Sequence, residues 1–234
     1  MRVAVVLCLL IPAAASAQVE ALEVPGHSDA ALVVPRSSEP RPVVVALHGN
    51  FDRPEWACES WAEIVRGRAF VLCPRGVPRR GVSRAEDRWT YRGAVAVVDE
   101  VEAARRALVA RYGARVAAGP DVWVGFSLGA HLVAELAGRS DGPRRIQLVE
   151  GGRTLFRRAD ARRRFARDGG RVAIVCGLRS CETEARAAAE AIVAAGGEAS
   201  VRFVEVGHQR HPRMTPLLRE TFDWLVAEDP RFPR

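Results

Sequence analysis

Val122-Trp123-Val124-Gly125-Phe126-Ser127-Leu128-Gly129-Ala130-His131-Leu132-Val133-Ala134-Glu135-Leu136 decides how this 234-residue chain is read. Three apolar residues run into a G-x-S-x-G pentapeptide, Gly125 to Gly129, and a helix-like run from Ala130 to Leu136 leaves it. Strand, sharp turn and helix together hold a serine in a strained turn, with its side chain projecting from the top of a sheet. Glycine suits both flanks, because a side chain there would collide with the neighbouring strand and helix.

Outward from this elbow the chain alternates. Val43–Leu47 is a continuous apolar run ending in His48-Gly49, the pattern of a strand buried on both faces. Residues 54–65 predict a helix with Pro in its first turn, and 69–73 a strand stopped by Pro74. Val19–Val24 and Ala30–Val34 read as short leading strands, and 74–92 as a long Arg-rich loop. Ala94–Tyr112 is expected to be a helix with Val97, Val101, Ala104 and Leu108 on one stripe. After the elbow follow a strand at 145–149, a basic helix at 155–167 and a strand at 171–175. An Ala-rich helix over 183–195, ended by Gly196-Gly197, precedes the last strand, 200–206, and the last helix, 215–227. Such alternation specifies an α/β protein with a mostly parallel sheet and helices on both faces. One helix nearly fills the stretch between Val149 and Arg171, which leaves no room for a large cap domain.

Met1–Ala17 has the layout of a secretory signal peptide: Arg2, an apolar stretch from Val3 to Ile11, and Ala15-Ser16-Ala17 as the cleavage site. Cleavage after Ala17 implies a secreted or periplasmic protein with a single domain over 18–234. No later run is long and apolar enough for a transmembrane segment. Removing the leader removes Cys8 and leaves Cys58, Cys73, Cys176 and Cys181, an even count that predicts two disulfides, Cys58–Cys73 and Cys176–Cys181. C-x2-C spacing is absent, so no metal site is expected. The formal charge is +7 and every basic residue is Arg. The arginines are scattered and accompany no nucleic-acid motif, so no nucleic-acid partner is expected. The sequence does not define an oligomeric state.

A neutral serine hydroxyl needs a base within hydrogen-bond reach. His208, in Val206-Gly207-His208 directly after the last strand, is the first candidate, ahead of His211, which Pro212 places at the entry to the final helix. His27, His48 and His131 read as structural. A carboxylate should fix the imidazole tautomer. Glu150, at a strand end before Gly151-Gly152, is preferred; Glu182 and Glu184 are the alternatives, although acids in a first helical turn also serve the helix dipole. An oxyanion needs two N–H donors. The expected pair is Leu128, after the serine, and Asn50 in His48-Gly49-Asn50-Phe51, with Phe51 as the fallback. Phe51, Trp89 and Tyr91 are expected to contact substrate. The 74–92 loop, with Arg75, Arg79, Arg80, Arg84 and Arg88, is expected to shape the mouth and to favour acidic or aromatic acyl groups.

These residues together resemble the α/β-hydrolase superfamily, through the His48-Gly49 loop, the Gly125–Gly129 elbow and the terminal Gly207-His208. Within it the chain is similar to small, capless, secreted esterases of the dienelactone-hydrolase and polyhydroxybutyrate-depolymerase type. The resemblance implies an eight-stranded sheet, the order nucleophile, acid, histidine, and acyl transfer to Ser127 followed by hydrolysis without a cofactor. It implies a small-molecule or polymeric ester as substrate. The chain departs from the family at Gly177-Leu178-Arg179-Ser180, where Ser180 stands in place of the usual Asp. A serine peptidase on the same scaffold, or an inactive hydrolase fold used as a binding protein, are the competing readings.

Overall fold

The computed structural model describes residues 18–233, apart from the side chain of Arg84. The expected leader, 1–17 with Cys8, lies outside the described residues.

The first part of the chain supplies β1 (Val19–Leu22), β2 (Ala30–Val33), β3 (Val43–Leu47), α1 (Pro54–Val65), β4 (Phe70–Cys73), the short β5 (Val77–Pro78) and β6 (Trp89–Thr90), and α2 (Ala94–Tyr112). The second part supplies β7 (Val122–Phe126), α3 (Leu128–Ala137), β8 (Arg145–Val149), α4 (Ala159–Arg167), β9 (Arg171–Cys176), α5 (Arg179–Ala194), β10 (Glu198–Phe203) and α6 (Thr215–Val226). Eight strands form one sheet in the order β1-β2-β4-β3-β7-β8-β9-β10. β1, β2 and β4 pair antiparallel, and every pairing from β4 to β10 is parallel.

Strand alternation divides the core into two layers. Val43, Val45 and Leu47 of β3 face α2 and α3 with Val97, Val101, Ala104 and Leu108, the stripe read from the sequence. Val44 and Ala46 face the other way, onto α1 and α6 with Trp61, Ile64, Leu218 and Phe222. All five β3 residues are therefore buried, which is why that run is apolar without alternation.

Several boundaries differ from the sequence reading. The basic helix begins as a 3-10 turn over Arg153–Arg157, and α4 proper starts at Ala159. α5 starts at Arg179 rather than Thr183, because Cys181 bonds to Cys176 and draws the first turn onto the end of β9. The last strand lies earlier than read, and the chain from Val204 to Gly207 crosses the end of β9 through bonds from Val204 N to Cys176 O and from Val206 N and Gly207 N to Gly177 O. The 74–92 loop holds the small β5–β6 pair, which the sequence did not announce. Both disulfides pair as expected, Cys58–Cys73 and Cys176–Cys181, with Cα–Cα distances of 5.8 and 5.5 Å. No helix among the described residues is long and apolar enough to cross a membrane.

Candidate active site

β7 ends at Phe126, α3 begins at Leu128, and Ser127 alone makes the turn between them, with φ 52° and ψ −113°. A non-glycine residue with positive φ is strained, and this strain sets the side chain above the sheet edge. Close packing fixes the turn. A Cβ on Gly125 would stand 2.5 Å from the Gly129 carbonyl carbon, and one on Gly129 would stand 2.3 Å from the Leu47 carbonyl oxygen. Both obstacles are backbone, so neither site admits a side chain without moving a strand or helix.

His208 sits on the loop after β10, and its Nε2 lies 2.8 Å from Ser127 Oγ. Its Nδ1 lies 3.0 Å from Glu150 Oε2. One tautomer serves both contacts: Nδ1–H donates to Glu150, and Nε2 accepts the Ser127 hydroxyl. Glu150, with φ 55°, has a side chain only 1% exposed. Its second oxygen, Oε1, accepts the Gly177 N–H and, at 3.0 Å, the Leu178 N–H. The Gly177–Ser180 turn, which carries no acid of its own, thus supplies donors to a glutamate from the strand before, at the positive end of α5. Gly152, with φ 75°, uses the left-handed freedom of glycine, and both Gly151 and Gly152 also answer a demand for space. A Cβ on either would come within 2.4 Å of the backbone oxygen of Ser127 or Ala130, so they let the Glu150 turn press against the elbow.

The other acids are occupied elsewhere. Glu182 pairs with Arg179 and Arg186, and Glu184 with Arg153 and Arg157. His211 turns its Nδ1 to the Arg213 N–H, capping the short turn before α6. His131 stands one turn beyond Ser127. Burial, then the charges of Arg153 and His208, hold its ring below the usual imidazole pKa, so it favours the neutral form beside His208.

In the loop after β3, the Phe51 N–H donates to Trp89 O at 3.1 Å, while the Asn50 N–H has no acceptor among the described residues. Of the two donors expected in this loop, Asn50 is therefore the one whose N–H is not already engaged. His48 is fully buried and braces the loop from below, its ring nitrogens 2.7 Å from Gly49 O and 2.9 Å from Arg75 O. Burial lowers its pKa, against the pull of those two carbonyls.

Phe51 is 47% exposed, and the Arg88 guanidinium lies over its ring at 5.6 Å and over that of Trp56 at 4.7 Å. Trp89 is half-buried and its backbone pairs with Asp52. Tyr91 departs from the expected place. It is buried and stacked on His48 with centroids 4.4 Å apart, and its hydroxyl donates to Pro74 O and accepts from His48 N. Tyr91 therefore supports the loop from the core side instead of facing the mouth. The guanidinium of Arg75 is also committed, to Glu55 and to Asp29 O.

Two partners escaped the sequence reading. Asp52 Oδ1 accepts from Arg210 Nη2 at 3.0 Å and from Arg53 N at 2.9 Å, while its Oδ2 faces Gly49 N at 3.4 Å. Arg210 also lies 5.8 Å from the Phe126 ring centroid. This pair ties the His208 loop to the loop after β3. The one signal in the sequence was their nearness to His208 and His48, which any loop residue shares.

No protein-family model matches the chain, and no curated protein matches it. Solved structures do. A Bacillus cereus carboxylesterase is 19% identical with a TM-score of 0.58, over 84% of this chain and 93% of that one. A Mesorhizobium loti carboxylesterase is 17% identical with a TM-score of 0.56, over 85% and 94%. A Pyrococcus horikoshii acylaminoacyl peptidase is 13% identical with a TM-score of 0.61, over 93% of this chain and 42% of that one. At these identities the likeness is one of fold: the α/β-hydrolase fold without a large cap.

Proposed function

We propose that this chain, which has the α/β-hydrolase fold, is an exported serine hydrolase of carboxylic esters. The observation that carries the reading is the continuous chain from Ser127 Oγ to His208 Nε2 at 2.8 Å and from His208 Nδ1 to Glu150 Oε2 at 3.0 Å. Ser127 is the nucleophile, His208 the base and Glu150 the acid that orients it. Ser127 Oγ attacks the ester carbonyl carbon as its proton passes to His208 Nε2. The carbonyl oxygen, now negative, is received by the N–H groups of Asn50 and Leu128. The bond to the alcohol oxygen then breaks, and the alcohol leaves with the proton from His208. Water repeats the sequence on the acyl-enzyme, releasing the acid and restoring the Ser127 proton. Every step uses groups of this chain, so the proposal needs no cofactor. The two disulfides support an oxidising compartment, in accord with a leader cleaved after Ala17 and one domain following it.

The test is labelling with a fluorophosphonate probe. The protein should label at Ser127 and hydrolyse an activated ester, and Ser127→Ala should lose both, with turnover down by about 10⁶ as for a lost nucleophile. Absence of labelling in folded protein overturns the reading in favour of a binding protein. A panel of esters and peptides then separates esterase from peptidase.

A further inference from the structure

The turn at Arg75 and Gly76 is held by a carboxylate that ester hydrolysis does not use. Glu100, on α2, is only 4% exposed. Its Oε1 accepts the Arg75 N–H at 2.8 Å and the Gly76 N–H at 2.9 Å. A carboxylate accepts at both oxygens, yet Oε2 takes no hydrogen bond among the described residues. Two basic side chains act on Glu100 from a distance, His27 and Arg75, and neither is bonded to it. The Arg75 guanidinium goes to Glu55 and to Asp29 O, and His27 is exposed on the loop between β1 and β2. Burial accordingly raises the Glu100 pKa, against the pull of the Gly76 and Arg75 N–H groups. A carboxylate taken out of water with no counter-charge beside it is costly, and Oε2 is the atom left short.

Glu100 lines a cavity of about 500 Å³, within the roughly 300–1,000 Å³ of ordinary ligand pockets. Val97 and the exposed Ala96 supply one wall from α2, and Val77 and the buried Tyr91 supply more apolar surface. Two exposed charges of opposite sign, Asp99 and Arg92, also line it. None of Ser127, His208, Glu150, Asn50 and Leu128 does. The acids do not converge as metal ligands would. Among the described residues, only Glu150, Cys176 and Cys181 bring three such ligand atoms together, so a bare metal ion does not fit this space. An organic cation does: its charged head reaches Oε2, and an apolar stem lies against Val97 and Tyr91.

We infer that this cavity is a second binding site, which takes a primary ammonium carried on an apolar stem, with Glu100 Oε2 as its anchor. The inference is independent of the role given to Ser127.

The probe is 2-phenylethylammonium, with 2-phenylethanol as its neutral analogue and phenylacetate as its anionic one. Each is titrated into the folded protein with both disulfides intact, and backbone amide shifts are followed by NMR. The ammonium should bind with a Kd on the order of 1 mM and shift the amides of Gly76, Val97 and Glu100. Each analogue should bind at least about tenfold more weakly, the difference that one charge-assisted hydrogen bond makes. Glu100→Gln keeps an oxygen for the Arg75 and Gly76 N–H groups and turns its NH2 toward the cavity, so affinity should again fall by at least about tenfold. Ala96→Trp leaves the carboxylate in place and fills the space from an exposed helix position; it should abolish the shifts. Circular dichroism checks that both variants are folded, and if Glu100→Gln is not, Ala96→Trp and the two analogues decide. Equal binding of the alcohol overturns the inference. Tighter binding of phenylacetate, drawn by Arg92 and the start of α2, overturns it in favour of an anion site. Retained affinity in either folded variant, shifts confined to residues away from this cavity, or no shifts with any probe also overturn it.

Discussion

Replacing Glu150 by Gln tests the site most sharply, because the structure dictates which way the new amide must face. Glu150 Oε1 accepts two backbone N–H groups, from Gly177 and Leu178, and Oε2 accepts one ring N–H from His208. A glutamine has one oxygen and one NH2. Turning the oxygen to Gly177 and Leu178 keeps two hydrogen bonds and presents the NH2 to His208 Nδ1. The opposite orientation would set the NH2 against two N–H donors, leaving buried groups unsatisfied at about 1–3 kcal/mol each. The first orientation wins, and its consequence is chemical. Facing a donor, His208 must shift its proton from Nδ1 to Nε2, and Nε2 then confronts Ser127 Oγ with a proton and no lone pair. A histidine held in the wrong tautomer costs about 10⁴ in kcat, equivalent to about 5.5 kcal/mol at 1.36 kcal/mol per tenfold. The fold should survive, since the N–H groups of Gly177 and Leu178 keep their acceptor. Glu182→Gln and Glu184→Gln break only surface pairs with arginines, each worth about 0–1 kcal/mol, and should retain wild-type kcat. All three are assayed on one activated ester, with thermal unfolding followed in parallel. Near-normal kcat in Glu150→Gln, with collapse in either of the others, would refute the tautomer argument and move the acid to α5.

The two disulfides should separate by readout. Cys176→Ser with Cys181→Ser frees the turn that carries the Gly177 and Leu178 N–H groups, so kcat should fall together with roughly 2–3 kcal/mol of stability. Cys58→Ser with Cys73→Ser should cost stability with kcat retained, and equal effects on kcat from both pairs would contradict this division. Gly129→Ala forces a methyl to within 2.3 Å of the Leu47 carbonyl oxygen and should cost about 1–3 kcal/mol in urea unfolding; an unchanged midpoint would show that the elbow packs more loosely than described. Arg210→Met leaves the Asp52 carboxylate without its partner between the two site loops. It should lower kcat on an acetate ester by up to about 10²-fold through a displaced Gly49–Asn50 segment, and a variant with wild-type kcat would reduce the pair to a surface contact.

Local pattern made much of this protein legible. A strand, a turn whose flanks tolerate only glycine, and a helix are consequences of neighbours in sequence, so Gly125–Gly129 announces the elbow by itself. Burial on both faces shows in the unbroken apolar run Val43–Leu47, and burial on one face shows in the Val97–Leu108 stripe. The disulfide partners followed from even count and short separation. These features depend on contacts whose geometry the adjoining residues already set, and they were enough to specify the α/β architecture and the strand ends where Ser127 and His208 stand.

What remained for the tertiary structure were the relations between loops distant in sequence. Ser180 suggests a missing acid, but only the adjacency of β8, β9 and the chain after β10 brings Glu150 within 3.0 Å of His208 and turns the Gly177-Leu178 backbone into its donor. Tyr91 reads as a surface aromatic in an Arg-rich loop, yet it is packed behind His48, 43 residues away. Asp52 and Arg210 are separated by 158 residues and carry no periodic signal, so their pairing exists only where two loops meet. The space between α1 and α6 is likewise lined by Trp61, Ile64, Met214 and Leu218 beside Glu63, Arg210 and Arg219, residues that no single segment brings together. A hydrophobic pattern records that a residue leaves water; the space left between two packed helices is decided by how closely they approach, and that distance is written in no single segment.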